Sequence, residues 1–146
     1  MKYRMMNESD IVMAAQLYVD YYNNNEDGEW TMETASKRIH QVWSREDAYC
    51  LLLEEEEKLV AFAFGYMEQY DDCFAYDLVE IVVAAEYQKQ GIGKMLVDNA
   101  MDALEKEGIT QVLLVVFKDN DNGNAFWEHI GFTKRDDLFY RNKYVK

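Results

Sequence analysis

The chain of 146 residues contains no proline, two cysteines and two histidines. Because it also lacks a polar linker or an internal repeat, the sequence offers no domain boundary, and a single domain over residues 1–146 is expected. Cys50 and Cys73 stand far apart rather than in a Cys-x-x-Cys spacing, which gives no support to a disulfide or a zinc site. Neither His40 nor His129 belongs to a cluster of ligand residues, so we predict no metal.

Basic residues are scarce as well. The chain carries 15 Lys and Arg against 28 Asp and Glu, which gives a formal net charge of −13. We predict no nucleic-acid partner, because the phosphates of nucleic acid require a basic surface. The excess of carboxylates favours a cationic partner, although an acidic surface also serves solubility alone.

Long apolar runs are absent, since none approaches the roughly 20 residues of a membrane-spanning helix. The N-terminus turns polar at Asn7–Asp10, so no signal-peptide core follows it. We therefore expect a cytoplasmic protein with no membrane partner. The chain is instead rich in apolar and aromatic residues, 49% and 14% of the total, which is ample for one core.

Hydrophobic periodicity predicts both strands and helices. The predicted helices run from Ser9 or Asp10 to the Asn23–Asn25 run, from Thr31 to about Val42, and from Ile92 to Glu107. The predicted strands are Tyr3–Met6, Tyr49–Glu54, Leu59–Met67, Phe74–Val83, Val112–Phe117, Phe132–Arg135 and Leu138–Tyr144. Glu54–Glu57 is expected at a hairpin turn, and Gly108 suits a left-handed residue after the long helix. Val112–Phe117 is apolar without alternation, which is typical of a central strand covered on both faces.

The segment Leu78–Lys94 carries the strongest functional signal. A β-branched strand runs into a glycine-containing loop that opens a long helix, and the free N–H groups at a helix start bind anions. A dinucleotide fingerprint is excluded because Leu96 takes the place of its third glycine. A P-loop is excluded because Gln88 replaces its first glycine and Met95 follows the lysine.

The remaining pattern is Gln-x-x-Gly-x-Gly over Gln88–Gly93. Asn120 and the run Trp127–Phe132 (Trp-Glu-His-Ile-Gly-Phe) follow it. From Asp77 onward, this order of motifs resembles the GNAT superfamily of acyl-CoA-dependent N-acyltransferases. The resemblance implies an α/β fold of the α+β type with element order β-α-α-β-β-β-α-β-α-β-β, in which a central mixed sheet is flanked by helices. It also implies an N-acetyltransferase with acetyl-CoA as co-substrate.

The cofactor site that the resemblance implies is mostly backbone. The end of the fourth strand would pair with the pantetheine arm, one of its N–H groups would polarise the thioester carbonyl, and the loop amides would hold the pyrophosphate. Asn120 would contact the cofactor or order its loop, although Asn is also an ordinary helix cap. The implied cofactor-binding residues are Ile81, Val82, Val83, Gln88, Lys89, Gln90, Gly91, Ile92, Gly93, Lys94, Asn120 and Trp127.

In the family, a carboxylate on the fourth strand often receives a proton from the acceptor amine. Glu80 and Asp77 are the candidates, and strand alternation places them on opposite faces. We favour Glu80, because a carboxylate within an apolar strand requires a partner or a function. The alternative is a structural pairing with an arginine, a tyrosine or a backbone group. Trp127 stands where most members carry the tyrosine that returns a proton to the thiolate. Tyr140, in the predicted last strand, is a candidate substitute.

The acceptor is expected to be a small cationic amine. Carboxylates and aromatic residues share the two segments that form the acceptor wall in this fold. These candidate substrate-binding residues are Glu26, Asp27, Glu29, Trp30, Tyr70 and Asp71. The stretch Asn25–Thr31 also resembles aminoglycoside 6′-N-acetyltransferase-like members of the superfamily. Two alternatives remain, a protein or peptide N-acetyltransferase and a non-catalytic acyl-CoA-binding regulatory module. The resemblance also leaves a homodimer open.

Overall fold

A computed structural model describes residues 1–145 of the chain. They divide into two compact units, the first spanning Met1–Val115 and the second beginning at Val116, and each is described by itself. No helix among residues 1–145 is both long enough and apolar enough to cross a membrane.

The first unit contains a five-stranded mixed sheet. The strands are β1 (Lys2–Met5), β2 (Ala48–Glu55), β3 (Lys58–Gln69), β4 (Phe74–Val83) and β5 (Gln111–Leu113). They lie in the order β1-β2-β3-β4-β5, with antiparallel pairing throughout except between β4 and β5, which are parallel. The β2–β3 hairpin turns through Glu56 and Glu57, whose φ angles of 51° and 67° suit a tight two-residue turn. The turn expected at Glu54–Glu57 is therefore present.

Three helices of the first unit pack on this sheet. They are α1 (Ile11–Asn25), α2 (Met32–Trp43) and α3 (Ile92–Glu105), and short 3₁₀ turns occupy Glu8–Asp10 and Ala85–Tyr87. On one face, α1 and α2 bury a shared core against β2, β3 and β4, which includes Tyr18, Ile39, Leu52, Phe62 and Phe64. The helix boundaries follow local signals, because the Thr31 side chain caps α2 and Gly108 takes a left-handed φ of 94° after α3.

The second unit contains α4 (Asp121–His129), which begins where the Asn120 side chain accepts a hydrogen bond of 2.9 Å from the Gly123 N–H. Through α4, the elements follow the predicted order, and the mixed α/β class is confirmed. Two details differ. The predicted strand Val112–Phe117 is shortened to Gln111–Leu113, and it lies at an edge of the sheet described here rather than at its centre.

The predicted strands Phe132–Arg135 and Leu138–Tyr144 are the second correction, since neither is a strand within the described part of its own unit. A strand is defined by a ladder of hydrogen bonds to a neighbouring strand. Arg135 and Asp137 instead form an ion pair of 2.7 Å between them. Apolar patterning predicts an extended segment but does not identify the strand that pairs with it.

Candidate active site

An interruption in the β3–β4 register organises the site. Phe64 pairs with Glu80 and the next residue, Gly65, pairs with Leu78, so Val79 has no opposite residue. Gly65 fits here because a Cβ would lie 2.2 Å from the carbonyl oxygen of Asp77. One extra residue in a strand reverses the alternation of its faces on either side of the bulge.

The bulge brings the two candidate carboxylates to one face. Glu80 lies opposite Phe64 and Asp77 lies opposite Tyr66, and these two β3 residues are two positions apart. Residues two apart in a strand share a face, so Asp77 and Glu80 both point toward the side covered by α1 and α2. The prediction that they lie on opposite faces was wrong, because simple alternation assumes an uninterrupted strand.

Three side chains from the helices surround the Glu80 carboxylate. The Tyr18 hydroxyl donates to Oε2, the Tyr22 hydroxyl donates to Oε1 at 3.0 Å, and the Arg38 Nε lies 3.6 Å from Oε2. Burial, followed by the negative charge of Glu80, raises the pKa of both tyrosines far above the ordinary value. Both hydroxyls therefore remain protonated donors at neutral pH. The Glu80 side chain keeps 20% of its surface accessible, so it is held without being sealed.

The connection between α1 and α2 adds Trp30 and Glu26 to this cluster. The Trp30 ring lies edge-on to Tyr18 with 5.0 Å between ring centres, and the Arg38 guanidinium lies 5.8 Å from the Trp30 ring centre. Burial and the charge of Glu80 raise the pKa of Glu26. Two predicted acceptor residues are thus near Glu80. Asp27 and Glu29 are exposed on the same connection, as is most of Glu26.

Asp77 has a different environment at the other end of the same face. Burial, together with the neighbouring Glu68 carboxylate, raises the pKa of Asp77 to about 6. Its Oδ2 atom is buried and accepts no hydrogen bond. The Tyr70 hydroxyl donates to Glu68 at 3.2 Å, and Tyr70 also lies near Asp77. This predicted acceptor residue therefore belongs to the surroundings of Asp77. Asp71 is exposed in the turn between β3 and β4.

The end of β4 has an open edge. The parallel ladder to β5 involves only Ala75, Tyr76 and Asp77, whereas β3 pairs with β4 as far as Val83. Within the first unit, no strand lies beside Ile81–Val83 on the β5 side. An extended ligand can therefore add to this edge through main-chain hydrogen bonds. One carbonyl is already engaged, since the Gln88 side chain donates to the Val83 oxygen at 3.0 Å.

The start of α3 forms an anion cradle. Gly91 precedes the helix with a left-handed φ of 78°, and no side chain caps this helix start. The amides of Ile92, Gly93 and Lys94 have no acceptor inside the helix and carry its positive dipole end. A Cβ at Gly91 would meet no atom within 4 Å, so the approach to these amides is open. The cradle and the open strand edge thus fit the diphosphate and pantetheine of an acyl-CoA.

Comparisons with known proteins agree with this geometry. The model of the acetyltransferase (GNAT) family matches residues 12–132. This chain belongs to the GNAT family. The ribosomal protein bS18-alanine N-acetyltransferase of Escherichia coli K12 is 37% identical over 82 residues, which are 56% of this chain and 53% of that protein. The chain therefore spans about half the length of that curated relative.

Solved structures share the GNAT fold. The structure of a possible acetyltransferase from Clostridium difficile 630 has a TM-score of 0.86 at 21% identity and covers 99% of this chain and 98% of that one. An aminoglycoside acetyltransferase from an uncultured soil metagenomic sample, in complex with sisomicin, has a TM-score of 0.78 at 19% identity and covers 99% and 96%. At these identities the likeness concerns the fold.

The remaining predicted residues of this GNAT chain have local contacts. On the loop, the Gln90 side chain donates to the Glu86 carbonyl at 3.0 Å, Lys89 adopts a left-handed φ of 61°, and Lys94 contacts Asp98 at 2.5 Å. In the second unit, Asn120 caps α4, the Trp127 ring contacts Phe126 and Phe132, and Tyr140 follows α4 outside any helix or strand. No group of three potential metal ligands occurs among residues 1–145.

The structure has the pairing of Glu80 with tyrosine and arginine that the sequence analysis gives as the structural alternative, but the sequence did not identify the three partners. Tyr18, Tyr22 and Arg38 are not among the residues that the sequence predicts for the site. One available signal was their chemistry, because a tyrosine within a buried stripe usually needs a hydrogen-bond partner for its hydroxyl. The identity of that partner could not be predicted, since Glu80 lies 62 residues beyond Tyr18.

Proposed function

We propose that this GNAT protein transfers the acetyl group of acetyl-CoA to a primary amine, by direct attack in a ternary complex. We further propose that the acceptor is a small cationic molecule of the aminoglycoside or polyamine type. The observation that carries the proposal is the position of the Glu80 carboxylate. It accepts hydrogen bonds from Tyr18 and Tyr22, and it lies on β4, whose edge is unpaired beyond Asp77 in the first unit. The same short segment therefore offers a proton acceptor and a strand edge for the acyl donor.

On the donor side, acetyl-CoA supplies an activated thioester. The backbone of Ile81, Val82 and Val83 aligns the extended arm, and one of its N–H groups donates to the thioester oxygen. The amides from Gln88 to Lys94 bind the diphosphate, and the Lys89 and Lys94 side chains add positive charge. The family resemblance also assigns Asn120 and Trp127 to the cofactor. Its elements are mainly backbone groups, so their alignment depends on the bulge and on the left-handed Gly91.

On the acceptor side, the protein must obtain a neutral amine. Deprotonating an amine of pKa about 10.4 at pH 7 costs about 4.6 kcal/mol. Glu80 receives this proton, directly or through a water molecule, while the nitrogen–carbon bond forms and the carbon–sulfur bond breaks. A carboxylate has about four lone-pair sites, so Glu80 can accept a further hydrogen bond besides those from the two tyrosines. The thiolate takes its proton from solvent, Tyr140 stays the substitute donor that the sequence suggests, and Asp77 is the alternative base.

The acceptor wall consists of carboxylates interleaved with aromatic residues. Its members are Glu26, Asp27, Glu29, Trp30, Tyr70 and Asp71. Negative charge attracts an ammonium group over a distance, and the faces of Trp30 and Tyr70 offer cation–π contacts. A second candidate, acetylation of a protein or peptide amine, is favoured by the 37% identity to a ribosomal protein alanine N-acetyltransferase. The third candidate, a non-catalytic acyl-CoA-binding module, is favoured by Trp127 at the usual tyrosine position.

Thiol release separates these candidates. Purified protein is incubated with acetyl-CoA and a panel of aminoglycosides, polyamines and basic peptides, and free CoA is measured. Release with the small amines supports the proposal, whereas release with peptides alone supports the second candidate. Calorimetric binding of CoA without release supports the third. If the protein neither binds CoA nor releases thiol, the enzymatic proposal is wrong.

We also propose a cytoplasmic location. The Cys50 thiol is buried and forms no disulfide, as is usual for proteins of reducing compartments. Burial raises the pKa of Cys50 to about 11, so this thiol is unreactive at neutral pH. Cell fractionation with an antibody against the chain tests the location directly.

A further inference from the structure

The connection between α1 and α2 is held by the side chain of Asn23, which does not contact Glu80. The Asn23 amide pairs with the main chain of Trp30 in both directions. Its Nδ2 donates to the Trp30 carbonyl at 2.8 Å, and its Oδ1 accepts from the Trp30 N–H at 3.0 Å. Two opposed hydrogen bonds to a single residue fix that residue in position and orientation more firmly than one bond does.

The chain between these two residues is folded closely around the pair. The N–H groups of Glu26 and Gly28 both donate to the Tyr22 carbonyl at 3.0 Å. Gly28 lies so near that an added Cβ would be 2.9 Å from the Asn23 Oδ1 and 3.1 Å from the Trp30 ring. A Cβ at position 28 would therefore require the Asn23 amide to shift, which favours glycine beside the Asn23–Trp30 pairing.

Contacts connect the Asn23–Trp30 pairing to the Glu80 carboxylate. The Trp30 ring packs edge-on against Tyr18, and the Tyr18 hydroxyl donates to Glu80. Trp30 also lies near the Arg38 guanidinium, which is next to the same carboxylate. Loss of the Asn23 contacts releases the segment that carries Trp30, so both the acceptor wall and the packing that supports Tyr18 loosen.

We propose that Asn23 is a positioning residue for the acceptor, acting through Trp30 on the wall of the site and through Tyr18 on Glu80. The inference rests on the proposed function for its kinetic part and on the geometry alone for its structural part. Asn23 touches neither the proposed strand edge nor the anion cradle. Its effect is therefore confined to the acceptor.

The test compares Asn23→Ala with Asn25→Ala. Asn25 is the matched control, because it is the same residue type at the same helix end and its side chain donates at 2.9 Å to the Tyr21 carbonyl instead. We expect Asn23→Ala to raise the acceptor KM by about fivefold, the scale of losing one ordered side chain at a binding surface. The acetyl-CoA affinity stays unchanged in both variants. A role in stability alone would lower the melting temperature and leave the acceptor KM of the folded enzyme intact, which would overturn the proposal.

A second measurement does not require turnover. Acrylamide quenching of tryptophan fluorescence is compared in the wild type and in Asn23→Ala, with Trp30→Phe identifying the contribution of Trp30. We expect Trp30 to become more accessible in Asn23→Ala and not in Asn25→Ala. Equal accessibility of Trp30 in the wild type, Asn23→Ala and Asn25→Ala would reject the positioning role even if the protein proved to have no acetyltransferase activity.

Gly28→Ala supplies an independent route to the same change, since its Cβ displaces the Asn23 amide. Combined with Asn23→Ala, the two changes should be less than additive in the acceptor KM, because each removes the same pairing. Full additivity would show that Gly28 and Asn23 act separately, which contradicts the proposal.

Discussion

The two sides of the proposed reaction centre are constructed differently. The donor side is local and consists of backbone groups from β4, the following loop and the start of α3, all within the segment Leu78–Lys94. The acceptor side is assembled from side chains on α1, α2 and β4, and the hydrogen bonds that hold Glu80 span 62 and 58 residues. A backbone site tolerates changes of side chain, whereas a side-chain site does not.

This contrast concerns which substitutions the two proposed sites tolerate. Glycine position, a helix start and an open strand edge define the donor site, so its chemistry changes little when side chains vary. The acceptor site depends on which residues face Glu80 and on how the α1–α2 connection is folded. We therefore expect substitutions on the two sides to separate into acetyl-CoA effects and acceptor effects.

The largest effect is expected from Glu80→Gln. The amide retains the size of the side chain but cannot accept the amine proton, so kcat should fall by about 100-fold or more, as for the loss of a general base. The acetyl-CoA dissociation constant should not change. Initial rates and calorimetry measure the two quantities.

Glu105→Gln is the control for Glu80→Gln, because it removes the same charge from an exposed position at the end of α3. Full activity of Glu80→Gln over the whole pH range would assign the proton transfer to another group, Asp77 first.

Gly91→Ala is expected to have the next largest effect, and on the donor side alone. The new Cβ enters the open approach to the α3 amides, so the acetyl-CoA dissociation constant should rise about tenfold, equivalent to about 1.4 kcal/mol. The acceptor KM should remain as it is. Calorimetry with CoA gives the affinity, and chemical denaturation gives the free energy of unfolding.

Gly108→Ala separates backbone strain from cofactor contact. Both glycines have a positive φ, 78° and 94°, so both alanine variants should lose about 1 kcal/mol of unfolding free energy. Gly108 lies at the opposite end of α3, where a Cβ meets only the Phe74 ring at 3.8 Å. Equal loss of CoA affinity in the two variants would mean that strain, and not the approach to the amides, causes the effect.

The local character of the donor side is also the reason that the sequence predicted it. Helix caps at Thr31 and Gly108, the loop at Gln88–Gly93 and the strand Phe74–Val83 are specified by neighbouring residues, and the structure has them at or near the predicted positions. The element order through α4 follows from the same signals. The roles of these loop residues in binding acetyl-CoA remain predictions.

The acceptor side was predicted only in part, for two physical reasons. The Val79 bulge reverses strand alternation and places Asp77 on the same face as Glu80, and no local pattern predicts an unpaired residue. Tyr18 and Arg38 reach Glu80 only after α1 and α2 pack on the sheet. The missing strands Phe132–Arg135 and Leu138–Tyr144 illustrate the same limit, because pairing is a tertiary property.

Tyr18→Phe should have a smaller effect than Gly91→Ala, and on the acceptor side. Loss of a buried hydrogen bond to a carboxylate should lower the acceptor kcat/KM by about fivefold, which is close to 1 kcal/mol. Tyr87→Phe is the matched control, because the Tyr87 hydroxyl donates at 3.0 Å to Glu55, which is also a carboxylate, near the donor loop. Steady-state kinetics with both substrates varied should show an unchanged acceptor kcat/KM in Tyr87→Phe. An equal fall of the acceptor kcat/KM in the two variants would contradict the separation of donor and acceptor sides.

The smallest effect is expected from the pH dependence of the acceptor wall. The pKa of Asp77 is raised to about 6, first by burial and then by Glu68, so this carboxyl is mostly neutral at pH 5 and mostly ionised at pH 7. A cationic acceptor should gain about 0.5 kcal/mol of attraction as Asp77 ionises, the scale of a partly screened ion pair, so its KM should fall by about twofold over this interval. Asp77→Asn should flatten that change and leave the acetyl-CoA KM without a pH step near 6.

The stability of the fold should change in the opposite direction. A carboxyl whose folded pKa exceeds its unfolded pKa contributes less to the free energy of unfolding as the pH rises from about 3.9 to 6. Between pH 5 and pH 7, the melting temperature of the wild type should therefore fall relative to that of Asp77→Asn. The same difference between the two melting temperatures at pH 5 and at pH 7 would show that Asp77 does not titrate in this range.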